Sequence, residues 1–543
     1  MSVILRCSNA VPGSSAFQYW LAVGGTTYLE NLDQKLPGLE KRLEKAFVVE
    51  RKNWWKLGKA LSRDNHGDIA HMPTAGSFGS DFGIMLAWTR LVEDLAKENY
   101  ATLVICDDPW LFRQLSKIKG VNASTPPSLL FKTLKYFLRG FFSRVYTAFR
   151  NAKAACLFSY NRDGMKTGES WLLVYGHPES NARGMDAYFG DLMDQHKSLK
   201  RVLHTDCSVK RAFDLIKDGR TISLHAWGSI WFAFSLLFCR WRPDKNYLIG
   251  SYGWLIRRAV AIENSGGSLV MNRWQAHCQE QWLKIAKPSR IAWPWENHGW
   301  ERNLCRAAIN RSIKTIGYQH TVIGPHQFNY AIFTNHDGLA SIPKIVVANG
   351  PAYFGEMLAW GIPIKRLVIG GAFRFPRFEN DLYDPQGPIF VPLSAISDVA
   401  YAQLNVANML ASKGRRVFIK PHPMYPIDFS EKKNLMLTDR SLAKQRGLSA
   451  VLYSTGASGL EAVLMGVPGY RLTLDNRIAI DVLPEGVKTK PVTVSDATEV
   501  ILAASASHSV VNWDKIFSDP DIELWEALLF GDIAGLNQQH KEI

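Results

Sequence analysis

The stretch RRVFIKPHPMYP (residues 415–426) decides how the C-terminal half is read. Val417, Phe418 and Ile419 form a short apolar run with basic residues before it and prolines after it, as in a central strand of a parallel sheet. Pro421 and Pro423 forbid further ladder pairing and stiffen the exit. Lys420 and His422 are therefore expected at the carboxyl end of a strand, where open α/β sheets bind their ligands. A strand-ending turn with a partly exposed histidine fits the same residues, and this stretch alone does not choose between the two.

Working outward, strand-like and helix-like runs alternate from Lys344: KIVVANG, PAYFGEMLAWG, KRLVIGG, GPIFVPLS, DVAYAQLNVANMLASKG, VFIKPHP, SAVLYSTG and ASGLEAVLMGVP. Such alternation implies βαβ units and a parallel sheet. Thirty-two residues after His422 comes Ser454-Thr455-Gly456, where a strand ends in hydroxyls and glycine and a helix begins. Backbone N–H groups and the helix dipole favour an anion at such a turn, and Ser454, Thr455 and Ser458 add hydroxyl donors. Glu461, about one turn into the helix, is a candidate acceptor for ribose hydroxyls. The spacing leads us to expect His422 and Ser454 on adjacent strand ends, flanking one phosphate. Helix capping by Ser and Thr is the alternative.

The order KPHP, then STGASGLEAVLMGVP, resembles the donor domain of GT-B glycosyltransferases. More narrowly, it resembles bacterial sialyltransferases and Kdo transferases that use CMP-activated sugars. The resemblance covers about residues 345 to 475 and implies that His422-Pro423 and Ser454-Thr455 hold cytidine monophosphate, with Glu461-Ala462 matching the family's Glu-Ala helix. Ser394, at the end of GPIFVPLS, Lys420 and Ser458 complete the expected donor-binding set. The implied fold is α/β, GT-B, with two Rossmann-like domains facing a central cleft. Residues 1–340 would be an acceptor-side domain, 341–511 the donor domain and 512–543 a helical tail. No cofactor or metal is expected, the CMP-sugar being a substrate.

In the N-terminal half, IAWPWENHGWERNLCRAAINRSIKTIGYQHTVIGPHQF (291–328) sets Glu296 among Trp293, Trp295 and Trp300, with Glu301 following. A carboxylate hemmed by indoles is expected to have a raised pKa, suited to a general acid or base. His320 ends a strand-like run and should point into the cleft. Glu296 and His320 are the candidate catalytic residues. The segment resembles the Glu helix and Gln-His of surface-polysaccharide transferases, although Thr321 replaces the usual glycine. The competing assignment has Glu296 capping the next helix and Glu301 pairing with Arg302 or Arg306. GSFGSDFG (76–83), Asp186, Asp191, Arg257 and Arg258 are weaker candidates for sugar or phosphate contact.

The whole chain has 543 residues and a net charge of +15, too long for one core. Between Asp108 and Asp163 there is no Asp or Glu but ten Lys and Arg; elsewhere 54 basic residues nearly balance 49 acidic ones. Within that window, 129–150 has Leu130, Leu134, Phe137, Leu138, Phe141, Val145 and Phe149 at helical spacing, with Lys132, Arg139 and Arg150 opposite. A basic amphipathic helix of this kind is expected to lie on a membrane surface, unless its apolar face packs on its own domain. Nothing resembles a nucleic-acid module, so no nucleic-acid partner is expected. The apolar run 222–239 is expected to be a core helix or a second membrane-touching piece. Seven scattered cysteines (7, 106, 156, 207, 239, 278, 305) and the absence of a signal-peptide pattern point to a reducing cytoplasm. The expected partners are a nucleotide-sugar donor and a glycan or lipid-linked acceptor, met at the inner face of the cell membrane. The alternatives are a GT-B transferase using a UDP or GDP sugar or a CDP-alcohol as donor, and a non-catalytic membrane-associated scaffold.

Overall fold

Short apolar runs of three to five residues build three parallel sheets in a computed structural model. It describes residues 2–24, 34–64, 67–74, 76, 79–162, 168–377, 382–422, 425, 427–475, 477–503 and 511–531. The first sheet holds β1 (Val3–Arg6), β2 (Tyr19–Ala22), β3 (Thr102–Ile105) and β4 (Val121–Ala123) in the order β2-β3-β1-β4. The second holds β5 (Ser170–Val174), β6 (Lys200–Leu203), β7 (Thr221–Ser223), β8 (Arg290–Pro294), β9 (Lys314–Tyr318), β10 (Ile345–Ala348) and β11 (Leu367–Ile369). Their order is β11-β10-β9-β8-β5-β6-β7. The third holds β12 (Ile389–Pro392), β13 (Val417–Lys420), β14 (Leu435–Leu437), β15 (Ala450–Tyr453), β16 (Gly469–Leu472) and β17 (Lys490–Val492), in the order β14-β13-β12-β15-β16-β17. Every ladder between these strands is parallel.

The expected α/β architecture with two Rossmann-like sheets is therefore present, together with a four-stranded sheet that sequence reading had not separated from the N-terminal half. β10 and β11 lie beyond the boundary expected at 341, yet they belong to the second sheet, β10 pairing with β9 and β11 with β10. The crossing from the second sheet to the third thus falls in the segment after Ile369.

One apolar core spans the first two sheets and takes in Leu460, Val463 and Leu464 of the helix Ser458–Leu464. The third sheet has its own centre around Ile389, Val391, Val417, Ile419 and Leu452. The tail turns back to the second sheet. A 3-10 turn at Trp513–Lys515 and the helix Ile522–Leu529 form there, and Trp525 Nε1 donates to the Gly370 carbonyl at 2.9 Å. A run of helix from Asn512 was expected, but Pro520 interrupts it.

The 222–239 run is not a single helix. β7 and the turn Leu224–Trp227 are buried, and the helix Ile230–Ser235 and turn Leu236–Phe238 come to the surface. No helix among the described residues is long and apolar enough to cross a membrane.

Candidate functional site

In a doubly wound sheet, the crevice for a ligand opens where the strand order reverses. In the second sheet that point lies between β5 and β8, from which the chain winds outward to β7 on one side and β11 on the other. In the third sheet it lies between β12 and β15. Glu296 leaves the carboxyl end of β8, and Ser394 and Thr455 leave β12 and β15. Both groups of candidate residues therefore stand at switch points.

The turn after β8 is built to present Glu296. Asn297 adopts a left-handed φ of 59° and is fully buried; its Nδ2 donates to the Asn329 carbonyl at 2.8 Å. Gly299 opens the helix Gly299–Ile309, and a Cβ there would meet the Asp68 carbonyl at 2.7 Å, so only glycine lets the backbones approach. The Glu301 carboxylate accepts from the backbone N–H of Glu296 at 3.1 Å and of His298 at 2.5 Å. Glu301, rather than Glu296, is thus the residue that caps this helix. It does not pair with Arg302 or Arg306. Arg302 donates to Thr334 Oγ1 at 2.8 Å, and Arg306 bonds Asp337 at 2.6 Å and Asp68 at 2.5 Å.

With its backbone fixed, the Glu296 carboxylate meets two imidazoles. Oε2 lies 2.7 Å from His298 Nε2, and Oε1 lies 3.7 Å from His320 Nε2. Burial pushes the Glu296 carboxyl up, but the hydrogen bond and charge of His298, then His320 and Arg374, bring it down to about 2. The raised pKa expected for Glu296 is therefore corrected: its neighbours are cations and donors as well as indoles. The raised carboxyl of this cluster is Glu301, which burial and the nearby Glu296 charge push to about 8. Burial lowers His298, but the bond to Glu296 outweighs it and leaves the imidazole above its ordinary value. His320, buried edge-on to the Tyr188 ring at 5.0 Å, is lowered by burial to about 4 and is neutral at pH 7.

Glu296 and His298 line a cavity of about 580 Å³ with His71, Tyr175, Asp206 and Asn272. A pocket of this size accommodates a small ligand such as a sugar residue. A carboxylate bonded to an imidazole orients it and raises its basicity, so the pair can accept a proton through His298.

Arg374 lies exposed in the segment that joins the second and third sheets. Its charge acts on Glu296 and His320 on one side and on Glu461 on the other. Its guanidinium lies 5.4 Å from the centre of the Tyr188 ring. Burial pushes the Glu461 carboxyl up to about 7, and Arg374 only partly offsets this.

At the third sheet, the Ser394 and Thr455 hydroxyls lie 3.3 Å apart across the switch point. Gly456 follows with a φ of 124°, and Ser458 is the first residue of the helix Ser458–Leu464. His422 stands beyond β13, half-buried, with its pKa lowered by burial and its ring 5.6 Å from Tyr425.

Three expectations change here. His422 and Ser454 are not on adjacent strands, because β12 and Ser394 lie between β13 and β15. The Ser454 hydroxyl is buried and donates to the Leu472 carbonyl at 2.8 Å, which ties it to β16 rather than to a ligand. Lys420 Nζ donates to the Asp439 carbonyl at 2.7 Å. Pro423 lies outside the described residues.

Two of the weaker candidates, Arg258 and Asp186, are held within the fold, whereas Asp191 and Arg257 are exposed. Arg258 bonds Asp81 at 2.6 Å and Asp108 at 2.7 Å, while Asp186 lies 3.4 Å from the fully buried Arg201. Among the described residues, no group of three or more His, Cys, Asp or Glu is placed to hold a metal ion. Sequence reading missed His298 and Arg374. The Glu-x-His spacing just after a strand was a usable signal for the first; for Arg374 there was none, because its meaning depends on which sheets it joins.

No protein-family model matches the chain, and no curated protein does. Among solved structures, the glycotransferase of kitacinnamycin matches at 10% identity and TM-score 0.38, covering 62% of this chain and 92% of its own. MurG of Acinetobacter baumannii matches at 15% identity and TM-score 0.34, covering 62% and 89%. UDP-N-acetylglucosamine 2-epimerase from Rickettsia bellii matches at 12% identity and TM-score 0.33, covering 56% and 79%. The chain is similar to these proteins at a level that assigns it no activity.

Proposed function

We propose that the protein is a GT-B glycosyltransferase that moves an acidic ulosonic sugar, a nonulosonic acid or Kdo, from a CMP donor to a bacterial surface glycan. The observation that carries this reading is the Glu296–His298 pair at 2.7 Å on the switch point of the second sheet, with the Ser394 and Thr455 hydroxyls 3.3 Å apart on that of the third. In the proposed reaction His298, oriented by Glu296, takes the proton of an acceptor hydroxyl. That oxygen bonds to the anomeric carbon as the bond from this carbon to the phosphate oxygen breaks, and CMP leaves with the electron pair.

Ser394, Thr455, Ser458 and the neutral imidazole of His422 donate hydrogen bonds to the departing phosphate. Glu461 accepts from the ribose, and Arg374 pairs with the carboxylate of the sugar. His320, neutral at pH 7, packs beside Glu296 with its Nε2 3.7 Å from the carboxylate. The acceptor class is a glycan or lipid-linked glycan at the cytoplasmic face of the cell membrane, approached through the helix 129–158, and no metal or cofactor enters the scheme.

The test is a melting panel with CMP, UDP and GDP on the wild type and on His422→Ala, joined to an assay of donor turnover. CMP should stabilise the wild type by mass action, and the substitution should remove about 1.5–3 kcal/mol of that binding. Stabilisation by UDP or GDP alone would replace the donor class. Turnover of no nucleotide sugar would leave a scaffold.

A further inference from the structure

The long helix Leu129–Phe158 packs inside out. It buries Gly140, Arg144, Thr147, Ala148 and Asn151, and it turns its large apolar side chains to the surface. Leu130 is 84% exposed and Phe131 72%, with Phe142, Tyr146 and Phe149 also exposed. Its rotation is set from the inner side. Arg144 Nε donates to the Leu237 carbonyl at 3.2 Å and Nη1 to the Asn264 carbonyl at 3.1 Å. A Cβ at Gly140 would collide with the same Asn264 carbonyl, so the helix seats there without a side chain.

The surfaced part of the 222–239 run continues this face. Trp231 and Phe238 are each 83% exposed. Phe234 meets Phe149 at 5.5 Å, and Arg240 lies over the Phe137 ring at 5.2 Å. Two segments distant in sequence therefore form one apolar surface.

We infer that this composite surface binds an anionic lipid bilayer, with the aromatic side chains inserted among the acyl chains and the cations against the headgroups. Exposed apolar surface of this extent is uncommon on a protein that meets only water. Its charge selects the occupant. Lys135, Arg139, Arg150 and Lys153 are exposed on the same helix, and no acidic residue occurs between Asp108 and Asp163. A second copy docking through the same face would bring like charges together, whereas an anionic membrane supplies the complement. The inference deepens the membrane part of the proposed function and uses none of its donor chemistry.

The test is sedimentation of the full chain with phosphatidylglycerol and with phosphatidylcholine vesicles. The wild type should pellet with the former and be released by salt. Gln at Lys135, Arg139, Arg150 and Lys153 together should reduce partitioning about a hundredfold or more. Trp231→Ser with Phe238→Ser should weaken it as well, at an unchanged melting temperature, because both side chains lie outside the core. Full binding by that double variant would confine the contact to the long helix and overturn the composite surface. Wild type that stays in the supernatant would overturn lipid binding. Self-association removed by the same substitutions would make the face an interface between copies. Glu296→Gln protein should pellet like the wild type, so loss of turnover and loss of membrane contact are separable.

Discussion

Glu296 and Glu461 are the same side chain in comparable places, each in the segment that leaves a strand at a switch point, yet their carboxyl groups are driven in opposite directions. Glu296 falls to about 2 and Glu461 rises to about 7. Burial disfavours both anions. The difference is partners: Glu296 has His298 at 2.7 Å, with His320 and Arg374 beyond it, whereas Glu461 has only the charge of Arg374 against its desolvation. The donors and cations brought to each carboxyl, His298 from the same turn for Glu296 and Arg374 from another segment for both, decide ionisation here.

The sharpest way to break this contrast is Glu296→Gln, which keeps the shape and removes the charge. Turnover should fall at least about a hundredfold while nucleotide binding stays close to wild type. The substitution should also move the pH profile. The wild-type rate should rise with pH as His298, held above its ordinary value by Glu296, loses its proton; without the carboxylate that inflection should shift to lower pH. Retention of half the activity would remove Glu296 and His298 from the chemistry.

Arg374→Ala acts on both carboxyls at once. Glu461 should rise further, having lost the cation that lowers it, while Glu296 should remain ionised through its bond to His298. Donor affinity should drop by about tenfold to a hundredfold if the sugar carboxylate pairs with this guanidinium, with partial recovery in Arg374→Lys. Calorimetric titration of the donor and of CMP alone separates the sugar from the nucleotide, since CMP should bind almost unchanged.

Glu461→Gln should have the smallest effect, on stability. Because the folded-state value lies above the unfolded one, the stabilisation linked to this carboxyl is complete at low pH and is lost as pH rises through about 7. The neutral amide does not titrate, so melting of the variant relative to wild type should improve between pH 5 and pH 7. A difference in melting temperature that is flat across this window would show that Glu461 is solvated.

The sequence alone was enough for the parallel sheet and its strand ends. An apolar run stopped by Pro421, and another stopped by Ser454-Thr455-Gly456, end strands for local reasons: proline lacks a donor, and glycine accepts φ values that other residues avoid. The concentration of cations between 108 and 163 was equally plain, since charge counting needs no fold. Tertiary structure decided the rest. Ser454, legible as a phosphate donor, gives its hydroxyl to Leu472 because β16 runs beside β15, and pairing order is not a local property. Glu301 became the helix cap and Glu296 the ion-paired carboxylate because Asn297 turns left-handed between long-range partners at Asn329 and Ala331. The outward rotation of the helix Leu129–Phe158 could not be read from its periodicity. A 3.6-residue period defines a face, but Arg144, anchored to carbonyls of residues 237 and 264, and Gly140, seated against the latter, determine which way that face points.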